Sequence, residues 1–139
     1  MKVGFTNGCF DLLHQGHIHF LDRCKAHCDY LIVAINTDMS VKRLKGEARP
    51  FQRLEERIQA LHALCSASVD AVIPFKWNDD LALLVEALEP AVLFKGSDYR
   101  LENIVGADYV LADGGEVMII DRLPDQSTTE IARATGRLS

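Results

Sequence analysis

The sequence lacks the features that mark membrane, secreted and disulfide-bonded proteins. None of its apolar runs approaches the roughly 20 residues that span a bilayer, and no signal-peptide pattern precedes the first strand-like segment. The four cysteines (Cys9, Cys24, Cys28 and Cys65) are expected to be reduced. Cys24 and Cys28 flank His27, but no second ligand pair occurs, so no zinc site is expected. We therefore expect a cytoplasmic protein without membrane association.

The chain also lacks the basic excess of nucleic-acid-binding proteins. Its formal net charge is −5 at pH 7, so no nucleic-acid partner is expected. One segment is nevertheless cationic, which suits a small polyanion such as a triphosphate. Its basic residues are Lys42, Arg43, Lys45, Arg49, Arg53 and Arg57. Within it, Lys42–Pro50 is predicted to be a mobile loop that closes on the triphosphate.

A third absence is the dinucleotide fingerprint Gly-x-Gly-x-x-Gly, which argues against a nicotinamide dehydrogenase. The chain instead alternates short apolar runs with amphipathic segments. This pattern predicts a single α/β domain over residues 1–139, a Rossmann-like doubly wound parallel sheet of about five strands with helices on both faces. Ligands of such sheets bind beyond the carboxyl ends of the strands.

The individual elements follow from hydrophobic periodicity and from capping residues. The predicted strands are Lys2–Thr6, Tyr30–Ile35, Ala71–Pro74, Ala91–Phe94 and Val117–Ile120. The predicted helices are Gly16–His27, Gln52–Cys65, Asp79–Leu88 with Asn78 as its N-cap, and Ser127–Thr135. Ala107–Ala112 is predicted to be a short strand or a turn.

Two motifs follow the first predicted strand. The turn Thr6-Asn7-Gly8-Cys9-Phe10-Asp11 contains a glycine that allows backbone to approach a ligand. The string His14-Gln15-Gly16-His17 then opens the first helix, whose free N–H groups and positive potential favour phosphate. Because the two histidines share one side of the first turn, both imidazoles are expected to donate to one phosphate group.

These motifs, together with Ser127-Thr128-Thr129-Glu130-Ile131, resemble the cytidylyltransferase-like nucleotidyltransferases, a HUP-type family with HxGH and S-T-T-x-I motifs. Within that family the chain is most similar to the adenylyltransferases of ADP-heptose synthesis. That similarity lies in Lys42–Gly46, Lys95–Tyr99 and Gly114–Val117. The resemblance implies transfer of AMP from ATP to a sugar phosphate, D-glycero-D-manno-heptose 1-phosphate, with release of pyrophosphate.

The resemblance also assigns roles to residues. His14, His17 and Lys45 would be catalytic and stabilise charge on the reacting phosphates. Asp98 would lie near the base and ribose, and Asp11 would orient a substrate or hold Mg²⁺ through water. The remaining implied nucleotide-binding residues are Thr6, Asn7, Gly8, Cys9, Phe10, Gly16, Lys42, Arg57, Lys95, Gly96, Arg122, Ser127, Thr128 and Thr129.

Competing interpretations accompany these assignments. Lys42, Lys45 and Arg57 are also compatible with solvated surface charges, and Asp98 with a turn residue that bonds its own backbone. Arg122 matches an R-x-x-x-x-S-T motif of glycerol-3-phosphate cytidylyltransferases, so the alternative is a CTP-dependent enzyme acting on a polyol phosphate. A binding module without catalysis is a third possibility.

The implied reaction needs no general base, because a phosphate monoester loses its second proton with a pKa near about 6. Alignment of two anions and fixed positive charge would provide the catalysis. Mg²⁺, held mainly by the triphosphate and not by a protein cage, is the expected cofactor. The resemblance further implies a homodimer and a kinase on a separate chain.

We predict that His17→Ala lowers turnover by about 10²–10³-fold, the usual cost of removing one donor from such an electrostatic site. Pyrophosphate release measures turnover, and circular dichroism checks that the fold survives. Retained activity in a folded variant would contradict the role of His17.

Overall fold

The computed structural model describes residues 1–121 and 130–134, and the side chains of the latter segment are not described. Six strands form one sheet in the order β3-β2-β1-β4-β5-β6. They are β1 (Val3–Gly8), β2 (Tyr30–Asn36), β3 (Ala71–Phe75), β4 (Val92–Gly96), β5 (Glu116–Ile120) and β6 (Glu130–Ala134). The first five strands are parallel, which confirms the predicted doubly wound sheet.

Within the described residues, five helices connect the strands. They are α1 (Gln15–Ala26), α2 (Asp38–Lys45), α3 (Leu54–Leu64), α4 (Asn78–Leu88) and α5 (Ala107–Ala112), with a short 3₁₀ turn at Leu101–Asn103. α1 and α3 supply Leu21, Cys24 and Leu61 to the hydrophobic cluster on one face of the sheet. α4 and α5 supply Val85 and Val110 to the cluster on the other face. Helices therefore cover both faces, as predicted.

The alternation of side chains along β2 explains the two clusters. Leu31, Val33 and Ile35 pack on the α1 and α3 face, while Ile32 and Ala34 pack on the α4 and α5 face. A strand buried on both sides reads as a continuous apolar run, which is why the sequence predicted it. Burial of each such aliphatic side chain contributes about 1.5–3 kcal/mol.

Four local predictions were wrong. Residues 42–45 of the predicted loop Lys42–Pro50 are helical, because they form the last turn of α2, which Thr37 caps and which ends at Gly46 with a φ of 101°. Ala107–Ala112 is helical and not a strand or turn. Glu130–Ala134 is a strand antiparallel to β5, where a closing helix was predicted. The N-cap of α4 is Trp77, and Asn78 is already helical.

The order of the strands in the sheet determines where the site lies. The sheet runs from β1 to β2 and β3 in one direction and from β1 to β4 and β5 in the other, so the crevice for ligands lies beyond the carboxyl ends of β1 and β4. Gly8 ends β1 and Gly96 ends β4. Within residues 1–121 and 130–134, none of the helices has the length and apolarity needed to cross a membrane.

Gly4 on β1 gives a test of this packing. A Cβ atom at Gly4 would lie 2.6 Å from Phe94 Cε2 and 2.8 Å from Cys28 Sγ. We expect Gly4→Ala to lower the free energy of unfolding by about 1–3 kcal/mol through overpacking. Urea denaturation measures this change in the free energy of unfolding. In a Phe94→Leu background the same change is expected to cost at least about 0.5 kcal/mol less. Equal costs in both backgrounds would contradict this contact.

Candidate active site

The carboxyl ends of β1 and β4 are joined by polar side chains. The Thr6 hydroxyl donates to the Phe94 carbonyl at 2.9 Å. The Lys95 ammonium donates to the Asn7 carbonyl at 2.8 Å and lies 4.2 Å from the centre of the Tyr99 ring. These bonds fix the two strand ends relative to each other and hold a buried cation at the crevice.

The turn after β1 has an unusual backbone. Phe10 and Leu12 adopt positive φ angles of 50° and 58°, which are uncommon for residues with bulky side chains. Gly8 lies close by, and a Cβ there would make a tight contact of 3.0 Å with the Phe10 ring. Such strained residues cost on the order of 1–3 kcal/mol each and cluster at functional sites. The turn is thus held in one shape by its surroundings.

Asp11 supplies much of that support. Its side chain is only 1% exposed and is paired with Arg49, whose Nε lies 3.1 Å from Oδ2. The backbone amides of Phe51 and Gln52 donate to the same carboxylate at 2.8 and 3.0 Å. Burial acts to raise the pKa of Asp11, but these bonds and the Arg49 charge outweigh it and the pKa is lowered. Asp11 therefore anchors the segment before α3.

The two histidines of the HxGH motif stack against each other, with ring centres 4.0 Å apart. The Gly16 amide donates to His14 Nδ1 at 3.0 Å, and the His14 amide donates to His17 Nδ1 at 3.3 Å. An acceptor nitrogen carries no proton, so each neutral ring carries its proton on Nε2. Capping of α1 and donation to a phosphate are thus compatible, because they use different nitrogens of the same ring.

A cavity of about 320 Å³ lies at this end of the sheet. That volume is at the lower end of the range for small-molecule sites, which begins at about 300 Å³. Nine of the predicted site residues line it, namely Asn7, Gly8, Cys9, Phe10, His17, Lys45, Lys95, Gly96 and Asp98. His14 lies beside it, in contact with His17. Segments far apart in the chain therefore meet at one cavity.

Positive charge is concentrated around Cys9 on the cavity wall. Burial raises the pKa of the Cys9 thiol, while the charges of Lys45, Arg57 and Lys95 act in the opposite direction. The thiol donates to Asn36 Oδ1 at 3.5 Å. Several cations thus act on one point of an otherwise acidic chain, as a site for a polyanion requires.

Other predicted residues lie outside the cavity wall. The Lys42 ammonium donates to the Arg49 carbonyl at 3.1 Å, and Thr6 is fully buried. Arg57 is also fully buried, so it is not a solvated surface charge. The remaining predicted residues Arg122, Ser127, Thr128 and Thr129 lie outside the described part of the chain.

Sequence reasoning missed several residues of the cavity wall. They are Phe20, Asn36, Leu44, Phe75, Asn78, Leu81, Tyr99, Asn103 and Val105. Asn36 had a usable signal, because it is a polar residue at the end of the buried strand β2. The apolar residues had none, since a wall residue and a core residue have the same hydrophobic pattern.

The fold and this phosphate-suited cavity define an α/β nucleotide-binding protein of the HxGH type. The sequence profile of the family described as Cytidylyltransferase-like matches residues 5–134. The chain belongs to the cytidylyltransferase-like family.

Two named relatives match this chain over nearly all of its length. The chain is 48% identical over 139 residues to the "Bifunctional protein HldE" of Granulibacter bethesdensis, covering 100% of this chain and 28% of the relative. It is 51% identical over 134 residues to the protein of the same name from Rhodopseudomonas palustris, covering 96% of this chain and 27% of the relative. The chain thus spans little more than a quarter of these relatives' length.

A solved structure gives the same fold. The lipopolysaccharide core biosynthesis protein from Thermoplasma volcanium superposes with a TM-score of 0.67 and 27% sequence identity. The match covers 88% of this chain and 97% of that protein. The similarity to this protein therefore extends over most of both chains.

We expect Asp11→Asn to lower the free energy of unfolding by about 1–3 kcal/mol at pH 7, because a buried charge-assisted network loses its acceptor. The folded pKa of Asp11 is lowered, so its contribution is complete above the unfolded value of about 3.9 and is lost as pH falls through the folded value. Urea denaturation at pH 7 and near pH 3 measures both effects.

The control for this test is Asp108→Asn, which changes an exposed aspartate in the first turn of α5. It should leave the stability nearly unchanged. A cost of Asp11→Asn that is the same at both pH values would contradict the ion-pair role of Asp11.

Proposed function

We propose that this protein is an adenylyltransferase that transfers AMP from ATP to D-glycero-D-manno-heptose 1-phosphate, giving ADP-heptose and pyrophosphate. The observation that carries the proposal is that one cavity at the ends of β1 and β4 is lined by His17, Lys45 and Lys95. The similarity to HldE proteins supports it, covering 96–100% of this chain and 27–28% of those relatives. The Lys95–Tyr99 and Gly114–Val117 stretches resemble those of ADP-heptose adenylyltransferases, which supports ATP as the nucleotide.

The proposed reaction is an in-line displacement at the α-phosphorus of ATP. An ionised phosphate oxygen of the acceptor forms a new P–O bond, and the bond to the pyrophosphate breaks. Both substrates are anions, so their mutual repulsion opposes the approach. The protein's task is to hold them in line and to offset that repulsion.

His14 and His17 suit the charge that develops on the phosphates. Because backbone amides occupy Nδ1 of each ring, Nε2–H is the donor that each neutral ring can offer. The rings are oriented before the substrate arrives, so little reorganisation is needed when charge develops. Lys45 and Lys95 would add fixed positive charge from α2 and β4.

Mg²⁺ belongs to the proposal as an ion that arrives with the triphosphate and neutralises part of its charge. Among the described residues, no cluster of three or more His, Cys, Asp or Glu side chains could hold a metal ion. The Asp11 carboxylate is already bound by Arg49 and two amides. Asp98 is the carboxylate in the cavity wall. A homodimer, which the resemblance implies, and a cytoplasmic location complete the proposal.

Pyrophosphate release in the presence of Mg²⁺ tests this function. ATP and CTP are each supplied with heptose 1-phosphate or glycerol 3-phosphate, in four separate reactions. We expect release with ATP and heptose 1-phosphate, with ADP-heptose identified by mass spectrometry. Release with CTP and glycerol 3-phosphate alone would instead select the cytidylyltransferase alternative. ATP binding with no release in any reaction would indicate a binding module.

A further inference from the structure

α2 carries Lys45 into the wall of the candidate active site, and it lies between two cavities. Lys45 lines the cavity at the ends of β1 and β4, whereas Arg43 lines a second, neighbouring cavity of about 350 Å³. Consecutive helical residues point about 100° apart, so residues two positions apart face in different directions. A rotation of α2 about its axis would therefore turn the Lys45 side chain out of the first cavity.

Polar contacts hold α2 against the rest of the protein, and apolar packing contributes little. Only Ser40 and Val41 of its eight residues are buried, while Met39 and Leu44 are exposed. Isolated helices shorter than about 12–15 residues are marginal in water. The position of α2, and with it the position of Lys45, therefore depends on the contacts made by its polar residues.

A buried hydrogen bond joins α2 to the sheet. Asn36 Nδ2, at the end of β2, donates to Ser40 Oγ at 2.8 Å. Both residues are buried, so loss of the hydroxyl would leave a buried N–H group without its acceptor, which costs more than an ordinary hydrogen bond contributes. The Ser40 amide also donates to the hydroxyl of the capping residue Thr37 at 3.4 Å. Ser40 is thus bonded both to the sheet and to the start of its own helix.

The Asn36 side chain is held on its other side as well. Its Oδ1 accepts from the Cys9 thiol at 3.5 Å, and Arg57 donates to the Asn36 carbonyl at 2.7 Å. A thiol is a weak donor, so the shorter bond to Ser40 is the stronger of the two side-chain contacts. These partners fix the orientation of the amide, which links the turn after β1 to α2.

Two points of attachment fix the direction of α2. The first is Asp38 Oδ1, which lies 2.6 Å from Nη2 of the buried Arg57. The second is Ser40, two positions further along and about 200° around the helix. A helix held at one point can pivot, whereas a helix held on different sides of its first turn cannot. Lys45 lies five residues beyond Ser40, about 7.5 Å along the axis, so it would move with any pivot there.

The contacts near the other end of α2 are looser constraints. The Lys42 ammonium donates to the Arg49 carbonyl at 3.1 Å, and Arg43 Nη2 donates to the Lys76 carbonyl. Both contacts are made through long side chains, which lose much rotamer freedom when they are ordered. The hydroxyl of a short, buried serine is the more rigid constraint on the helix.

We propose that Ser40 is a positioning residue, which holds α2 through Asn36 and so places the Lys45 ammonium against the reacting phosphates. This inference rests on the proposed function. It requires no contact between Ser40 and a substrate. Misplacement of a catalytic group by about 1 Å can cost about 10²-fold in rate, so loss of one hydroxyl at the start of α2 is expected to act at its end.

Steady-state kinetics of Ser40→Ala test this role in two backgrounds. In the wild-type background we expect kcat for pyrophosphate release to fall by about 10- to 100-fold. The KM for ATP should change by less than about 2-fold, because the lost interaction is made chiefly in the transition state. In a Lys45→Ala background the same change should lower kcat by less than about 2-fold, because no ammonium remains to be positioned. An equal fall in both backgrounds, or a change confined to the KM, would overturn the inference.

The matched control is Ser68→Ala. Ser68 is another buried serine, and its hydroxyl donates to the Asp22 carboxylate. It lies in the connection between α3 and β3, at the amino ends of the strands and opposite the cavity. Any effect of this change on kcat should be the same with and without Lys45. If it also disappeared in the Lys45→Ala background, the comparison would report a general loosening of the fold, which would contradict a specific role of Ser40.

Hydrogen exchange followed by mass spectrometry tests the attachment without any substrate. In Ser40→Ala we expect the backbone amides of residues 41–45 to exchange about 3- to 10-fold faster than in the wild type, as for local opening after the loss of one hydrogen bond. Alanine is the better helix former, so helix propensity acts in the opposite direction. Exchange in α3 should be unchanged, which shows that the variant is folded, and Ser68→Ala should leave residues 41–45 unchanged. Equal exchange of α2 in Ser40→Ala and the wild type would refute the attachment.

These measurements separate the inference from the proposed function. Pyrophosphate release by the wild type, with an effect of Ser40→Ala that does not depend on Lys45, would refute the positioning role and leave the adenylyltransferase activity intact. A wild type that releases no pyrophosphate in any of the four reactions would refute the activity and, with it, the positioning of Lys45 for that reaction. Faster exchange in α2 would then retain Ser40 only as a structural anchor of the helix.

Discussion

The structure of the site depends on one buried cation, Arg57. Its side chain has no exposed surface, and its guanidinium donates to the Cys9 carbonyl at 2.9 Å and the Asn36 carbonyl at 2.7 Å. It also donates to the Gln52 carbonyl at 3.0 Å and to Asp38 Oδ1 at 2.6 Å. A buried guanidinium is tolerated only when its donors are satisfied. Arg57 thereby links the turn after β1, the end of β2, the start of α2 and the segment before α3.

Each of those four segments carries part of the cavity or supports it. The turn after β1 presents Cys9 and Phe10, and the end of β2 presents Asn36. α2 carries Lys45, and the segment before α3 binds Asp11 through its amides. Removing one partner of a buried ion pair commonly costs about 3–5 kcal/mol. Arg57 therefore positions the segments that form and support the cavity wall.

The site also combines a strained backbone turn with side chains in fixed orientations. Phe10 and Leu12 are held at positive φ by the Asp11 network and by the packing of Phe10 near Gly8. The two histidines are oriented by backbone amides within the first turn of α1. The two imidazole rings therefore have fixed orientations at the start of α1. Such preorganisation is the main means by which an enzyme without a general base lowers a barrier.

Much of this could be predicted from the sequence, because the relevant signals were local. The apolar run of β2 and the His14-Gln15-Gly16-His17 string can be recognised without coordinates. The run predicted a strand of the sheet, and the string predicted one side of the cavity. The helix at Asp38–Lys45 was missed because its sequence has few apolar residues, with only Ser40 and Val41 buried. The strand at Glu130–Ala134 was missed because its pairing with β5 is a tertiary interaction.

The role of Arg57 was difficult to predict from the sequence for a different reason. Its sequence neighbours Glu55 and Glu56 are exposed, so a charged residue on an amphipathic helix reads as a surface group or as a ligand contact. Burial of Arg57 depends on Cys9, Asn36 and Asp38, which are distant in sequence. No local pattern encodes such a meeting of segments.

The position of α2 between two neighbouring cavities has an evolutionary consequence. Because one helical turn carries Lys45 in the wall of the cavity at the ends of β1 and β4 and Arg43 in the wall of a second cavity, any change in the length or register of α2 alters both cavities together. The connection between β3 and α4, with Lys76 and Trp77, is not bound by that constraint. Sequence divergence that reshapes the second cavity alone is thus easiest in that connection, where substitutions leave Lys45 in place.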